Sequence, residues 1–193
     1  MSVLILGLVL FLGVHSTRIF APAWRAQQIQ QRGELRWKGI YSLAAIVTFV
    51  VLVYGYGLAR QAPVVLYVPP VWTRHLAALL MIPSFVLLAA AYVPGTRIRK
   101  AVGGHPMLIG VKTWAVAHLL ANGNLNDLLL FGALLVWAVV AYASCRRRDR
   151  EAGTVVVTGP VVRDITALIV GVVAWAVFAL WLHGWLIGVR PFG

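Results

Sequence analysis

Long apolar stretches separated by short polar segments run through the whole chain. Most come close to the roughly 20 residues that an α-helix needs to cross the hydrocarbon core of a bilayer. The pattern predicts six helices, at residues 2–20, 39–59, 72–93, 106–121, 126–144 and 164–188. We therefore expect an all-α integral membrane bundle that forms one domain over residues 1–193.

The first apolar stretch also has features of a secretory signal, since Ala21-Pro22-Ala23 resembles a small-residue cleavage site. A signal peptide carries basic residues before its apolar region, whereas the first charged residue here is Arg18, which follows it. The stretch is better interpreted as the first transmembrane helix.

Two of the polar connections have structure of their own. Residues 18–38 combine tryptophans with a Gln-rich run, which favours an amphipathic helix at the membrane interface. Residues 146–160 hold a charged cluster followed by Gly153 to Pro160, and this segment fits either a small hairpin or an interfacial segment.

Composition excludes an ordinary water-soluble fold, because 61% of the residues are hydrophobic and only 11% are charged. The formal charge of +12 could indicate nucleic acid binding, but in so apolar a chain it is better explained by cytoplasmic loops that face anionic lipid. We therefore expect membrane lipid and no nucleic acid as a partner. The single Cys145 excludes an intrachain disulfide and a multi-cysteine metal cluster.

Basic residues are concentrated in the first, third and fifth connections. Those connections hold thirteen of the seventeen: Arg18, Arg25, Arg32, Arg36, Lys38, Arg97, Arg99, Lys100, Arg146, Arg147, Arg148, Arg150 and Arg163. The positive-inside rule places these connections in the cytoplasm and both termini in the periplasm of a bacterial inner membrane.

Ionisable residues within a membrane are costly and are candidates for function. His15 and His118 are the two histidines predicted to lie deep, roughly 20 Å and 18 Å from opposite surfaces. In a core about 30 Å thick their heights would differ by about 8 Å, which helix tilt can absorb. His75, His105 and His183 fall near helix ends.

Two deep histidines with no nearby carboxylate suit haem better than a bare divalent ion, since haem brings four nitrogen ligands of its own. From residue type alone, however, the preferred interpretation is that each histidine only hydrogen-bonds a neighbouring helix. Lys112 could extend toward the cytoplasm or neutralise a haem propionate, and Arg74 and Arg97 are equal candidates for that second role.

Several enzyme classes lack their motifs in this chain. It contains no P-loop, GxGxxG, CxxC or GxSxG sequence, and its few carboxylates fall at helix ends or in connections. Paired carboxylates for glycoside chemistry and a buried carboxylate for transport are therefore not predicted.

The fourth apolar segment carries a specific pattern, HP-x7-W-x3-H-L-x-A-N-G, from His105 to Gly123. Together with Gly13-Val14-His15-Ser16 and the Leu128 to Trp137 stretch, it resembles the signature of the NnrU family over nearly the whole chain. The resemblance implies a bacterial inner-membrane protein linked to nitrite and nitric oxide reduction. It also implies kinship with the plant ζ-carotene isomerase, a membrane enzyme that uses haem b.

Carried onto this chain, the resemblance implies one haem b with His15 and His118 as axial and metal ligands. We further expect Lys112 and Trp114 to be cofactor-binding residues. The expected function is support of nitrite or nitric oxide reduction by electron transfer or handling of NO, with a redox partner or nitrogen-oxide reductase. One alternative is a haem-dependent cis–trans isomerase acting on a carotenoid-like polyene lipid, and a second is a membrane assembly factor without haem. Whether the chain is an enzyme, and which residues would then be catalytic, stays open.

One departure bears on the isomerase alternative. The plant enzyme has a cysteine three residues before its second histidine, where this chain has Ala115. The resemblance therefore does not extend to ligand switching, although bis-histidine ligation is unaffected.

Overall fold

The computed structural model describes residues 1–192, and all the regular structure in that range is helical. The α-helices are α1 (Ser2–His15), α2 (Thr17–Phe20), α3 (Pro22–Arg32), α4 (Glu34–Gln61), α5 (Val71–Tyr92), α6 (Arg97–Ala101), α7 (Pro106–Ala121), α8 (Leu125–Glu151), α9 (Val162–Val177) and α10 (His183–Ile187). A π-helical segment, Phe178–Leu182, connects α9 to α10.

Within residues 1–192, four stretches are long and apolar enough to cross a membrane: α4, α5, α8 and the continuous stretch Val162–Ile187. They direct apolar side chains outward, as the exposed Leu43, Ile46 and Val50 of α4 show. So many exposed apolar side chains would be unfavourable in water, whereas lipid accommodates them. An all-helical membrane protein is therefore confirmed, whereas the six-span count and the periplasmic termini stay predictions. The two remaining apolar helices, α1 and α7, have 14 and 16 residues.

The chain divides into two compact units, and the first comprises residues 1–67 and 124–133. In it α1 packs closely along α4 through glycines. A Cβ atom on Gly7 would lie 2.6 Å from the Cα of Leu52, and one on Gly55 would lie 2.6 Å from the backbone N of Leu4. The buried core around this contact consists of Leu4, Leu8, Leu52 and Ala59.

The second unit comprises residues 68–123 and 134–193, of which residues up to 192 are described. Here α5 packs against α7 and α9. Ser84 donates a hydrogen bond of 2.9 Å to the carbonyl of Gly110 on α7, and a Cβ on Gly171 of α9 would lie 2.5 Å from the Cα of Val86. The single-domain organisation stays a prediction.

The predicted first helix, residues 2–20, is interrupted. It ends at His15, and a turn at Ser16 separates it from the short α2. The Thr17 hydroxyl donates to the carbonyl of Val14 at 2.7 Å, a local bond that competes with helix continuation. The helix predicted within residues 18–38 is confirmed as α3, and Gly33, at φ 79°, separates it from α4.

The fifth helix is longer than the predicted 126–144, because the charged cluster continues it to Glu151. Pairs along the helix, Arg146–Asp149 and Arg147–Glu151, bring opposite charges to 3.8 Å. The hairpin alternative was wrong, since residues 154–160 form no strand. In place of strand pairing, the backbone N–H of Gly159 donates to the carbonyl of Gly95 at 2.7 Å.

Candidate functional site

His15 is the last residue of α1, and its ring is held by its own helix. Its Nδ1 lies 2.7 Å from the carbonyl oxygen of Phe11, one turn earlier. The Phe11 ring packs on the imidazole with 4.1 Å between centroids, and Tyr41 of α4 approaches it edge-on at 5.9 Å. The half-buried imidazole is therefore fixed by one hydrogen bond and two aromatic neighbours.

His118 has the same local arrangement in the last turn of α7. Its Nδ1 lies 2.9 Å from the carbonyl oxygen of Trp114, again four residues earlier. The Trp114 ring packs on the imidazole at a centroid distance of 5.0 Å and an angle of 45°. Each deep histidine thus follows an aromatic residue by one helical turn, although His15 belongs to the first unit and His118 to the second.

These contacts determine the tautomer of both rings. A carbonyl oxygen only accepts hydrogen bonds, so Nδ1 carries the proton and donates it. In a neutral imidazole the lone pair then lies on Nε2. Histidines that bind metal usually donate their other ring N–H to a carbonyl or a carboxylate, which fixes the ring and raises its basicity. Both histidines therefore have the protonation and the second hydrogen bond of a ligand that binds through Nε2.

A cleft of about 250 Å³ lies beside His15, within the first unit. Its lining residues are His15, Thr17, Arg18, Arg25, Glu34, Trp37, Lys38, Tyr41 and Ser42. Trp37 forms a firm wall, because it is only 7% exposed and packs edge-on against Trp24 at 5.5 Å. The sequence placed Arg18 and the tryptophans only in a connection with an expected interfacial helix, and the bend after α1 brings them together at this cleft.

Residues 3–191 match the family model described as NnrU protein. This chain belongs to the NnrU family. Neither the curated proteins nor the solved structures compared with it gave a match. The matched range includes both histidines and the whole cleft. The membership expected from the sequence signature is thus confirmed, and the relationship to the plant isomerase stays a prediction.

Lys112, the third predicted cofactor-binding residue of this NnrU family member, contacts an aromatic ring. Its ammonium lies 4.0 Å from the centroid of Tyr142 on α8, in a cation–π contact. Trp114 lies two residues further along α7, and positions two apart on a helix do not share a face. The structure thus brings Trp114 to His118 and directs Lys112 toward Tyr142.

The remaining histidines have other neighbours. His105 precedes α7, and its Nε2 lies 2.7 Å from Oδ2 of Asp149. The Nδ1 of His183 lies 2.6 Å from the carbonyl oxygen of Val189, and His75 is exposed. In residues 1–192 no group of three or more His, Cys, Asp or Glu residues could hold a metal ion.

A buried polar cluster in the first unit escaped the sequence analysis. The Tyr56 hydroxyl donates to Oδ1 of Asp127 at 2.6 Å, and the side-chain amides of Asn124 and Asn126 donate to the same carboxylate at 3.0 and 2.9 Å. Asp127, which is 3% exposed, looked like an ordinary first-turn acid of a helix. The only signal was the density of Asn and Asp after α7, because Tyr56 is 71 residues away.

Proposed function

We propose that this NnrU family member is a haem b protein of the bacterial inner membrane, with His15 and His118 as the axial ligands. The observation that carries the proposal is the shared geometry of the two rings, in which an Nδ1–H bond to the carbonyl four residues earlier leaves the lone pair on Nε2. A histidine with a purely structural role needs a hydrogen-bond partner. Such a role does not explain why two distant histidines share a tautomer and an aromatic residue one helical turn earlier.

The chemistry of the donor set fits this cofactor. Two imidazoles are too few for a structural zinc site, which takes four ligands, and they suffice for haem, which supplies four nitrogens itself. Haem bound here would supply an iron centre able to take up and release one electron. The protein's part is to hold both Nε2 atoms in position and to surround them with apolar and aromatic side chains, including Phe11 and Trp114.

A haem held by both His15 and His118 would supply one-electron redox chemistry, so electron transfer is the role that two histidine ligands would favour. The family description, NnrU protein, supports a role connected with nitrite and nitric oxide reduction. We therefore propose electron transfer to, or NO handling for, a nitrogen-oxide reductase as the function.

The membrane arrangement proposed with this function has six spans. At 1.5 Å per residue, α1 is about 21 Å long and α7 about 24 Å, short of a core of about 30 Å. The α2 turn extends the first apolar segment to Phe20. Six crossings place the basic connections, including Arg97 and Arg146, on one cytoplasmic side and both termini in the periplasm.

The test is the absorption spectrum of the full-length protein purified in detergent, oxidised and then reduced with dithionite. We expect a sharp Soret band with resolved α and β bands on reduction, the signature of six-coordinate low-spin haem b. His15→Ala and His118→Ala should each abolish that spectrum, whereas the matched control His75→Ala, an exposed histidine, should leave it unchanged.

A colourless protein from cells supplied with haem would overturn the proposal and favour an assembly factor without haem. Unchanged spectra in both histidine variants would mean that the protein binds haem through residues other than His15 and His118. Addition of CO or NO to the reduced protein then tests whether the gas displaces either histidine from the iron.

A further inference from the structure

The cleft beside His15 carries an excess of positive charge. Three cationic side chains line it, those of Arg18, Arg25 and Lys38, against the single carboxylate of Glu34. Lys38 and Glu34 pair with each other at 2.8 Å, one helical turn apart on α4. The cleft lining therefore carries a formal excess of two positive charges.

The same cleft combines these charges with flat, apolar walls. His15, Trp37 and Tyr41 line it. A ligand that fits this lining has a flat apolar ring system and anionic groups along one edge. The volume of about 250 Å³ lies below the range of about 300–1,000 Å³ typical of sites that enclose a drug-sized ligand. The cleft therefore suits one edge of a large ligand.

We propose that Arg18 and Arg25 bind the two propionate carboxylates of the haem. This assignment rests on the proposed function, and it gives these arginines the role that the sequence also allowed to Lys112, Arg74 and Arg97. Guanidinium groups suit it because their planar set of N–H donors matches a carboxylate in two parallel hydrogen bonds. Lys112 does not line this cleft, and its ammonium contacts the ring of Tyr142.

The position of the arginines in the chain supports the assignment. Arg18 lies on α2, three residues after His15, and Arg25 lies on α3, which turns back along the start of α4. Both belong to the first basic connection, the one predicted to lie at the cytoplasmic membrane surface. Propionates are the charged edge of haem, and they are most stable at the interface while the apolar ring stays in the membrane.

The experiment compares iron protoporphyrin IX with its dimethyl ester, which lacks the two negative charges. Full-length protein from haem-limited cells is titrated in detergent with each compound, and the Soret band gives the dissociation constant. We expect the wild type to bind the free acid about tenfold or more tightly than the ester, because hydrogen bonds between charged groups are among the strongest in proteins. The double variant Arg18→Gln/Arg25→Gln should lose that preference.

Arg32→Gln is the matched control, since Arg32 is exposed at the end of α3 and bonds Gln28 at 2.8 Å outside the cleft. It should keep the wild-type preference, and circular dichroism checks that all variants are folded. Equal affinity of the wild type for acid and ester would overturn the inference. So would a preference that persists in the double variant.

A second titration uses metal-free protoporphyrin IX and its dimethyl ester, with quenching of tryptophan fluorescence as the readout. This compound has no iron to ligate, so it separates the two proposals. A preference for the acid that the double variant loses supports propionate binding in the cleft, even if His15 and His118 do not bind the iron. Low-spin haem bound with no preference in either titration rejects the cleft and leaves the proposed function standing. Binding of no porphyrin at all rejects both.

Discussion

An imidazole binds a metal dependably only when its tautomer and its direction are fixed before the metal arrives. At His15 and His118 the helix that carries the residue does this, through the carbonyl of Phe11 in one case and of Trp114 in the other. The bond spans one helical turn, so it depends on local geometry alone. The sequence motif W-x3-H contains the aromatic residue of one pair, Trp114, and Phe11 occupies the corresponding position before His15.

Tyr56 is a second single residue whose substitution should lower the free energy of unfolding, through its hydrogen bond in the first unit. Tyr56→Phe removes a donor from the buried carboxylate of Asp127, which is left with fewer hydrogen bonds. We expect a loss of about 1–3 kcal/mol in the free energy of unfolding. Thermal unfolding in detergent, followed by circular dichroism, measures this as a lower Tm.

Tyr54→Phe provides the control, because Tyr54 lies on the same helix with 63% of its surface exposed. Its Tm should match that of the wild type. Equal melting of the two variants would mean that the hydroxyl of Tyr56 contributes nothing to the stability of the cluster.

Among the elements, the contact between α1 and α4 depends on the absence of a side chain at particular glycines. A Cβ at Gly55 would meet the backbone of Val3 and Leu4 at 2.6–2.7 Å, so the two helices must separate to accept it. Gly55→Ala should therefore lower the free energy of unfolding by about 1–3 kcal/mol, the usual cost of overpacking.

Gly57→Ala, two residues further along the same helix, should raise the free energy of unfolding or leave it unchanged. A Cβ there meets no atom within 4 Å, and alanine in a helix interior is better than glycine by roughly 0.5–1 kcal/mol. Denaturant or thermal titration of both variants in the same detergent tests the pair. Unchanged or increased stability of both variants would show that helix propensity, rather than contact with α1, decides the effect at Gly55.

For the whole molecule, the number of crossings decides which connections share a side of the membrane. If α1 and α7 did not cross, the connections around Arg97 and Arg146 would face opposite compartments, contrary to the positive-inside rule. With six crossings both face the cytoplasm. The distribution of charge therefore favours a crossing by α7, although within residues 1–192 only four helices reach the usual length.

Single-cysteine labelling tests this arrangement. In a Cys145→Ala background, Ala101→Cys and Thr154→Cys should react with a membrane-impermeant maleimide only in inverted vesicles, whereas Pro63→Cys should react in spheroplasts. All three positions are exposed. Labelling of Ala101→Cys and Thr154→Cys from opposite sides would show instead that α7 does not cross the membrane.

Much of the fold was predictable, because helix formation in an apolar chain depends on local sequence. The helix predicted at residues 106–121 has the observed bounds, since Pro106 suits the first turn and Asn122-Gly123 ends it. Errors occurred where side chains act locally, as at Thr17, or where charges continue a helix that the apolar pattern ends, as in α8.

The sequence by itself determined three features: the all-helical membrane fold, the concentration of basic residues in three connections, and the two candidate histidines. Hydropathy, charge and motif are properties of neighbouring residues, so they can be read along the chain. The tertiary structure alone decided which distant residues meet. Tyr56 reaches Asp127 across 71 residues, and α3 and α4 bring Arg25 and Tyr41 to the cleft at His15. Such contacts follow from how the helices pack, and no pattern of spacing along the chain encodes them.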